Sequence, residues 1–179
     1  LIEGHGLGVN VFDLNKDGWK DIYVTNDYLS DDLLYINNQD GTFTDMASKY
    51  FKHTSQSAMG NDVGDLNNDG YLDILSMDML AKNNYTFQYM RNNLQINNGI
   101  DSKNNPMFSE VSFLAGIGET DWSWTPSIAD FDNDGYKDIV ITNGFPKDVT
   151  DGDFMAFRSE SERIATDDFV LAQIPEVKI

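Results

Sequence analysis

A nine-residue acidic motif that occurs three times constrains this chain more than any other feature of its sequence. Each copy reads D-x-[DN]-x-D-G-[WY]-x-D, and the copies occupy residues 13–21, 65–73 and 130–138. Their first aspartates lie 52 and 65 residues apart, which is the spacing of a repeat protein built from supersecondary units. We call these segments the first, second and third loops and number their positions 1 to 9.

The spacing of the oxygen-bearing side chains predicts a calcium site in each loop. Calcium takes roughly six to eight oxygen ligands at about 2.3–2.6 Å, and side chains at positions 1, 3, 5 and 9 supply carboxylate or amide oxygens. The glycine at position 6 permits a sharp turn, which aims the carbonyl of position 7 inward. The predicted ligands are Asp13, Asn15, Asp17, Trp19 and Asp21; Asp65, Asn67, Asp69, Tyr71 and Asp73; and Asp130, Asp132, Asp134, Tyr136 and Asp138.

Two comparisons refine this prediction. Magnesium is a weaker alternative, because it favours few protein ligands and keeps several waters. The third loop carries Asp132 at position 3, where the other two loops carry asparagine, so we expect it to bind calcium most tightly.

The loops are not EF-hands, because the residue at position 12 and the segment after the loop are both of the wrong kind. An EF-hand closes with a bidentate glutamate at position 12. Here position 12 is Val24, Ser76 or Ile141. Short runs of mostly apolar, often β-branched residues follow position 9 in all three copies, and such runs predict strands. The loops therefore belong to a β-repeat.

Further similarity between the repeats predicts four strands per unit. An apolar residue two places before each loop indicates a strand that leads into it. Residues 34–38 match 94–98, and 41–45 match 106–110. Four short strands per unit of this length are typical of a propeller blade.

We therefore expect an all-β fold, namely a β-propeller that is present here as a partial set of about three four-stranded blades. Residues 1–179 would form a single domain, with units at roughly 4–58, 59–123 and 124–179 and the last unit incomplete. The apolar spacing within 151–165 predicts a short helical insertion near the C-terminus.

The three loops, the segment 34–45 and the run Asp121-Trp122-Ser123-Trp124 resemble FG-GAP/VCBS repeats, the calcium-loop repeats also found in the N-terminal heads of integrin alpha subunits. The similarity covers roughly residues 4–148 and is closest to bacterial ASPIC/UnbV-type proteins, relatives of cartilage acidic protein. The resemblance implies a propeller that binds calcium in loops on one face. It also implies an extracellular or cell-surface setting and a role in adhesion or recognition.

Composition narrows the range of partners. The net charge of -18, from 30 acidic and 12 basic residues, disfavours nucleic acid and anionic membranes. The absence of cysteine excludes disulfides, thiolate metal sites and thiol catalysis. No apolar run approaches the roughly 18 residues of a membrane span. Because the chain opens on Leu1 and runs at once into a motif, we expect it to be part of a longer protein whose export signal lies upstream.

Two functions of different classes remain open. The first is a non-enzymatic recognition, adhesion or scaffolding module with structural calcium, whose partner would be a protein or a polysaccharide at the cell surface. The second is a calcium-dependent polysaccharide lyase or hydrolase on the same architecture, since propellers host both. The two histidines, His5 and His53, have no carboxylate partner identifiable in the sequence, which favours the first. Aromatic residues that could face a ligand are Tyr28, Tyr85, Trp122 and Trp124.

Overall fold

The computed structural model describes residues 4–28, 30–80, 90–103, 105–144 and Ser159. The short α-helix α1 (Ala47–Tyr50) stands among strands. The strands, in chain order, are β1 (His5–Phe12), β2 (Asp21–Asp27), β3 (Leu33–Asn37), β4 (Phe43–Asp45), β5 (Asn61–Gly64), β6 (Asp73–Ser76), β7 (Met79–Leu80), β8 (Asn93–Ile100), β9 (Pro106–Glu110), β10 (Asp121–Ala129) and β11 (Asp138–Asn143).

The strands form antiparallel sheets that follow the repeats. The first sheet has the order β1-β2-β3-β4 and the second β5-β6-β8-β9. A third sheet has the order β11-β10-β7, in which β7 crosses over from the second repeat. The all-β prediction and the four strands of the first two repeats are confirmed. The helix predicted within 151–165 lies outside the described residues, apart from Ser159.

Each acidic loop joins two paired strands. The first loop connects β1 to β2, the second connects β5 to β6, and the third connects β10 to β11. Alternating apolar residues on these strands build two clusters of buried side chains. Tyr23, Leu34 and Ile74 are central to the first cluster, and Leu75, Met77 and Leu94 form the second. Burial of these residues fixes the strands on which the loops are mounted.

Neighbouring sheets meet along the first strand of each repeat. The side chain of Asn10 on β1 donates to the backbone oxygen of Asn61 at the start of β5 (3.1 Å). The carboxylate of Asp62 on β5 accepts from the N–H of Ile128 on β10 (2.7 Å). Gly60 allows a close approach of two backbones, because a Cβ there would lie 2.8 Å from the carbonyl oxygen of Trp124. These contacts place the three loops in a row along one end of the sheets.

Within the described ranges, no helix combines the length and the apolar character needed to cross a membrane.

Candidate metal centre

One pattern of backbone hydrogen bonds shapes all three loops. In the second loop, Asp65 at position 1 accepts from the N–H groups of Asp69 (3.1 Å) and Gly70 (2.8 Å). Asp69 at position 5 accepts in turn from the N–H of Tyr71 (2.8 Å). The equivalent bonds occur in the first and third loops at 2.8–3.1 Å. The backbone therefore curls around its own carboxylates in the same way three times.

Two residues in each loop adopt left-handed backbone conformations to make this curl. At position 4, φ is 59° for Lys16, 58° for Asn68 and 62° for Asn133. At position 6 the residue is always glycine, with φ between 86° and 92°. A side chain is strained at such a φ, so glycine at position 6 is a conformational requirement.

The aspartate at position 9 ties each of the first two loops to the third strand of its sheet. Asp73 is fully buried, and its two carboxylate oxygens accept from the N–H of Leu66 (2.9 Å) and from the N–H of Asn97 on β8 (2.8 Å). Asp21 makes the same pair of bonds, to Leu14 and to Asn37 on β3, both at 2.9 Å. Each oxygen keeps a further lone pair, so a carboxylate bonded in this way can still bind a cation.

In the third loop the position-9 residue is exposed. Asp138 accepts from the N–H of Phe131 (3.1 Å) but has no bond to a third strand among the described residues. The third loop instead gathers more carboxylates. Asp130, Asp132 and Asp138 each bring a carboxylate oxygen to within 4.8 Å of the others. The first and second loops carry asparagine at position 3, so the same three positions hold only two carboxylates there.

The electrostatics of the loops favour a bound cation. Burial raises the pKa of Asp21 above its usual value, and the neighbouring carboxylates of Asp17 and Asp13 raise it further against the opposing effect of the two N–H donors. Burial and two neighbouring acids raise the pKa of Asp73 in the same way. No loop carboxylate forms an ion pair among the described residues. The ion pair found among these residues links Arg91 to Glu110. A divalent cation would relieve this repulsion.

The donor set fits calcium in its chemistry. Every predicted side-chain ligand presents oxygen, and the asparagine side chains at position 3 are held with their oxygens toward the loop, where Asn15 and Asn67 accept from the position-5 N–H at 3.1 Å. Position 12 lies within β2, β6 or β11 in the three repeats, beyond the curl of the loop. The prediction that these loops differ from EF-hands is confirmed by the strands that follow them.

A second polar feature lies at the opposite end of the first sheet. Two adjoining clefts of about 330 and 460 Å³ share Asp31, Lys52, His53 and Thr54 in their walls. Tyr28 edges the larger cleft, and its side chain is 59% exposed. Its φ of 54° is unusual for an aromatic residue.

The other aromatic residues singled out in the sequence differ in exposure. Trp124 is exposed on β10, whereas Trp122 is half-buried beside Gly144. Tyr85 lies outside the described residues.

Two buried acids, Asp32 and Asp78, were not among the residues predicted from the sequence. Asp32 accepts from the hydroxyl of Tyr23 (2.7 Å) and from the N–H of Asn26 (3.1 Å). Burial raises the pKa of Asp32 to about 7, with a further contribution from nearby Asp78, although its hydrogen bonds oppose the shift. Asp78 is fully buried and accepts from the hydroxyl of Ser55 and the N–H groups that follow it.

Alignment of the repeats contains the signal that would have revealed these acids. Asn26 and Asp78 occupy the same place after their loops, and Asp32 and Asn92 occupy the same place before β3 and β8. In the first repeat the N–H of Asn26 donates to Asp32, and in the second the N–H of Asp78 donates to Asn92 (2.7 Å). The acid and the amide have exchanged positions between the two repeats, while the hydrogen bond from backbone N–H to side chain is kept.

Comparison with known proteins agrees with this repeat structure. Residues 13–76 match the FG-GAP-like repeat family. The match begins at the first aspartate of the first loop and ends with β6, directly after the second loop. Human integrin alpha-6 is 31% identical over 157 residues, which cover 79% of this chain and 12% of that protein. These comparisons support the FG-GAP resemblance and do not bear on the ASPIC/UnbV-type assignment, which stays a prediction.

The position-9 aspartates should differ in their structural importance. Replacing Asp73 with alanine leaves two buried N–H groups without a partner, so Asp73→Ala should lower the free energy of unfolding by about 3 kcal/mol. The matched change Asp138→Ala affects an exposed residue and should cost less than about 1 kcal/mol. Urea denaturation in the presence of a chelator separates this effect from cation binding. Equal losses for the two variants would contradict the structural role of Asp73.

The buried Asp32 should make stability depend on pH. Its pKa is about 7 in the folded chain and close to 4 in the unfolded chain, so the folded state binds more protons in that interval. The free energy of unfolding should therefore fall as the pH rises from about 5 to about 8, by up to about 3 kcal/mol from this residue. The isosteric variant Asp32→Asn should lose this component. Parallel pH profiles of melting temperature for the two proteins would show that Asp32 does not titrate there.

Proposed function

We propose that this chain is a non-enzymatic calcium-binding module for recognition, adhesion or scaffolding, which works at the cell surface or outside the cell. The observation that carries the proposal is the repeated hydrogen-bond pattern of the three loops. Each pattern fixes side-chain oxygens of positions 1, 3, 5 and 9 through hydrogen bonds from the loop backbone, and no ion pair neutralises these groups among the described residues. In the third loop, oxygens of positions 1, 3 and 9 also lie within 4.8 Å of one another. A cation supplies the positive charge that such a centre lacks.

The proposed ion is calcium, with one site in each loop. An all-oxygen set of four side chains and one carbonyl approaches the coordination number of calcium, and waters can complete it. Magnesium demands a smaller, stricter octahedron, and zinc favours nitrogen and sulfur. The third site should be the tightest, since Asp132 adds a carboxylate to a cluster that is already compact.

The proposed role of calcium is structural. Each loop joins two strands of a sheet, and in the first two repeats position 9 also ties the loop to a third strand. In these two repeats, a cation that orders the loop would therefore stabilise the packing of three strands against one another. Binding to the folded state alone stabilises it by mass action.

The proposed location follows from the expected affinity. The loops lack the bidentate closing glutamate that strengthens sensor sites, and weaker sites are filled where calcium is abundant, outside the cell. The FG-GAP resemblance implies the same setting. The surface we propose for recognition is the end of the sheets remote from the loops, where the two clefts and the exposed ring of Tyr28 lie.

The histidines offer little to the rival enzymatic function. His5 is exposed on β1. The Nε2 atom of His53 is buried without a hydrogen-bond partner among the described residues, so a substrate cannot reach it without rearrangement. Burial lowers the pKa of His53, and the positive charge of Arg91 lowers it further, although Glu110 and Asp78 oppose this.

Calcium should bind at three sites and raise the stability of the fold. Calorimetric titration of the chelator-treated protein should show three calcium equivalents. Calcium at about 100 times the dissociation constant should add about 3 kcal/mol of stability per site, and EDTA should lower the melting temperature correspondingly. The triple variant Asp13→Asn, Asp65→Asn and Asp130→Asn serves as the matched control and should melt identically with and without EDTA. A chelator-insensitive wild-type protein, or metal analysis that finds zinc, would refute the calcium proposal.

The intact parent protein should release no product from polysaccharides. We expect a screen of neutral and acidic polysaccharides with calcium present to give no reducing or unsaturated ends, because the loop acids are committed to cation binding. The variants His5→Ala and His53→Ala test the alternative. Product release that disappears in either variant, with calcium stoichiometry unchanged, would instead establish a lyase or hydrolase.

A further inference from the structure

Neighbouring loops touch one another through the residue at position 4. The ammonium group of Lys16, in the first loop, lies 4.0 Å from the ring centroid of Tyr71 in the second loop. The amide of Asn68, in the second loop, donates to the carbonyl oxygen of Gly135 in the third loop at 3.1 Å. Position 4 of one loop thus contacts position 6 or 7 of the next in both junctions.

The contact from Asn68 arrives at the peptide unit between positions 6 and 7 of the third loop. The carbonyl of Gly135, which Asn68 holds, belongs to the same peptide as the N–H of Tyr136. That N–H donates to the position-5 carboxylate of Asp134 at 2.8 Å. In the second loop, Lys16 instead contacts the side-chain ring of Tyr71, the residue whose N–H donates to Asp69 at 2.8 Å. The contact from Asn68 therefore reaches a predicted cation ligand of the third loop through a single rigid peptide plane.

Position 4 is free to make this contact because it lies outside the predicted ligand set. It stands between two predicted ligands, at positions 3 and 5, and its left-handed backbone is common to all three loops. The side chain of Asn133, at position 4 of the third loop, has no hydrogen-bond partner among the described residues. Position 4 therefore varies in its partner but not in its conformation.

We propose that Asn68 and Lys16 are positioning residues for the cation site of the following loop, so that cation binding along the row of loops is cooperative. This inference rests on the proposed calcium binding and specifies how the sites influence one another. A cation in the second loop fixes positions 3 and 5 and hence Asn68 between them. The third loop then binds its own cation with its 6–7 peptide already held, and less ordering entropy remains to be lost.

Asn68 gives the cleaner test of the two residues. It is neutral, so its removal changes orientation without changing the electrostatic field. Lys16 brings a positive charge to the second loop, which opposes cation binding there and mixes two effects. Glycine adopts the left-handed conformation of position 4 without strain, so Asn68→Gly removes the side chain and keeps the loop backbone.

Calcium titration followed by NMR of the backbone amides resolves the sites, because Gly18, Gly70 and Gly135 each report on one loop. In Asn68→Gly, the dissociation constant reported by Gly135 should rise about 5-fold, as expected for one neutral hydrogen bond. The value reported by Gly70, in the mutated loop itself, should change less. The control Asn133→Gly makes the same change inside the third loop and should leave the Gly135 value unaltered.

A double-mutant cycle tests the coupling itself. Asp69→Asn weakens the second site, and in the otherwise wild-type chain it should also weaken calcium binding reported by Gly135. In the Asn68→Gly background, Asp69→Asn should have no further effect on Gly135. An unchanged Gly135 value in Asn68→Gly, or additive effects in the cycle, would overturn the coupling while leaving calcium binding intact. Absence of any calcium-dependent shift in the wild-type glycines would instead refute the calcium sites themselves.

Discussion

The arrangement of each of the first two repeats depends on the pair of hydrogen bonds that the position-9 carboxylate accepts. In both, one oxygen of this carboxylate accepts from the backbone at the start of the loop and the other from the third strand. Because the group is fully buried, leaving either N–H without it would carry the desolvation cost of an unpaired donor. The position-9 aspartate therefore has two roles. It is a predicted cation ligand, and it also holds the loop and the two strands that the loop joins against the third strand.

The opposite ends of the sheets are fixed by a related device. There, the end of the second strand donates its N–H to a side chain that precedes the third strand, namely Asp32 in one repeat and Asn92 in the other. The exchange of acid for amide keeps the hydrogen bond but changes the charge. It leaves Asp32 and Asp78 as buried acids near the junction of the first two sheets, where Asp32 is poised to take up a proton near neutral pH. The proposed cation sites thus lie at one end of the fold, and the acid that should titrate near neutral pH lies at the other.

The loops and the strands around them were predictable because their signals are local. A glycine at position 6 and acids at fixed spacing specify the curl, and the apolar runs after it specify β2, β6 and β11 within a residue or two. The contacts between loops were not predictable, since Asn68 and Gly135 lie 67 residues apart and meet only when two sheets pack. The same holds for the burial of Trp122 and Trp124, which depends on how the sheets pack: Trp122 is half-buried and Trp124 is exposed on β10.

The loops concentrate negative charge along the end of the sheets where they lie side by side. Ten of the chain's 30 acidic residues lie in the three loops, and three divalent cations would reduce the net charge from -18 to -12. Without cations, the adjacent acidic loops repel one another along the edge where the sheets meet. With cations, each loop would be less negative, and the contacts through position 4 would join neighbours that repel less strongly. The hydrogen bond from Asn68 to Gly135 is then best placed to act once its own loop has bound a cation. The proposed coupling between sites would follow from the same geometry that holds the sheets side by side.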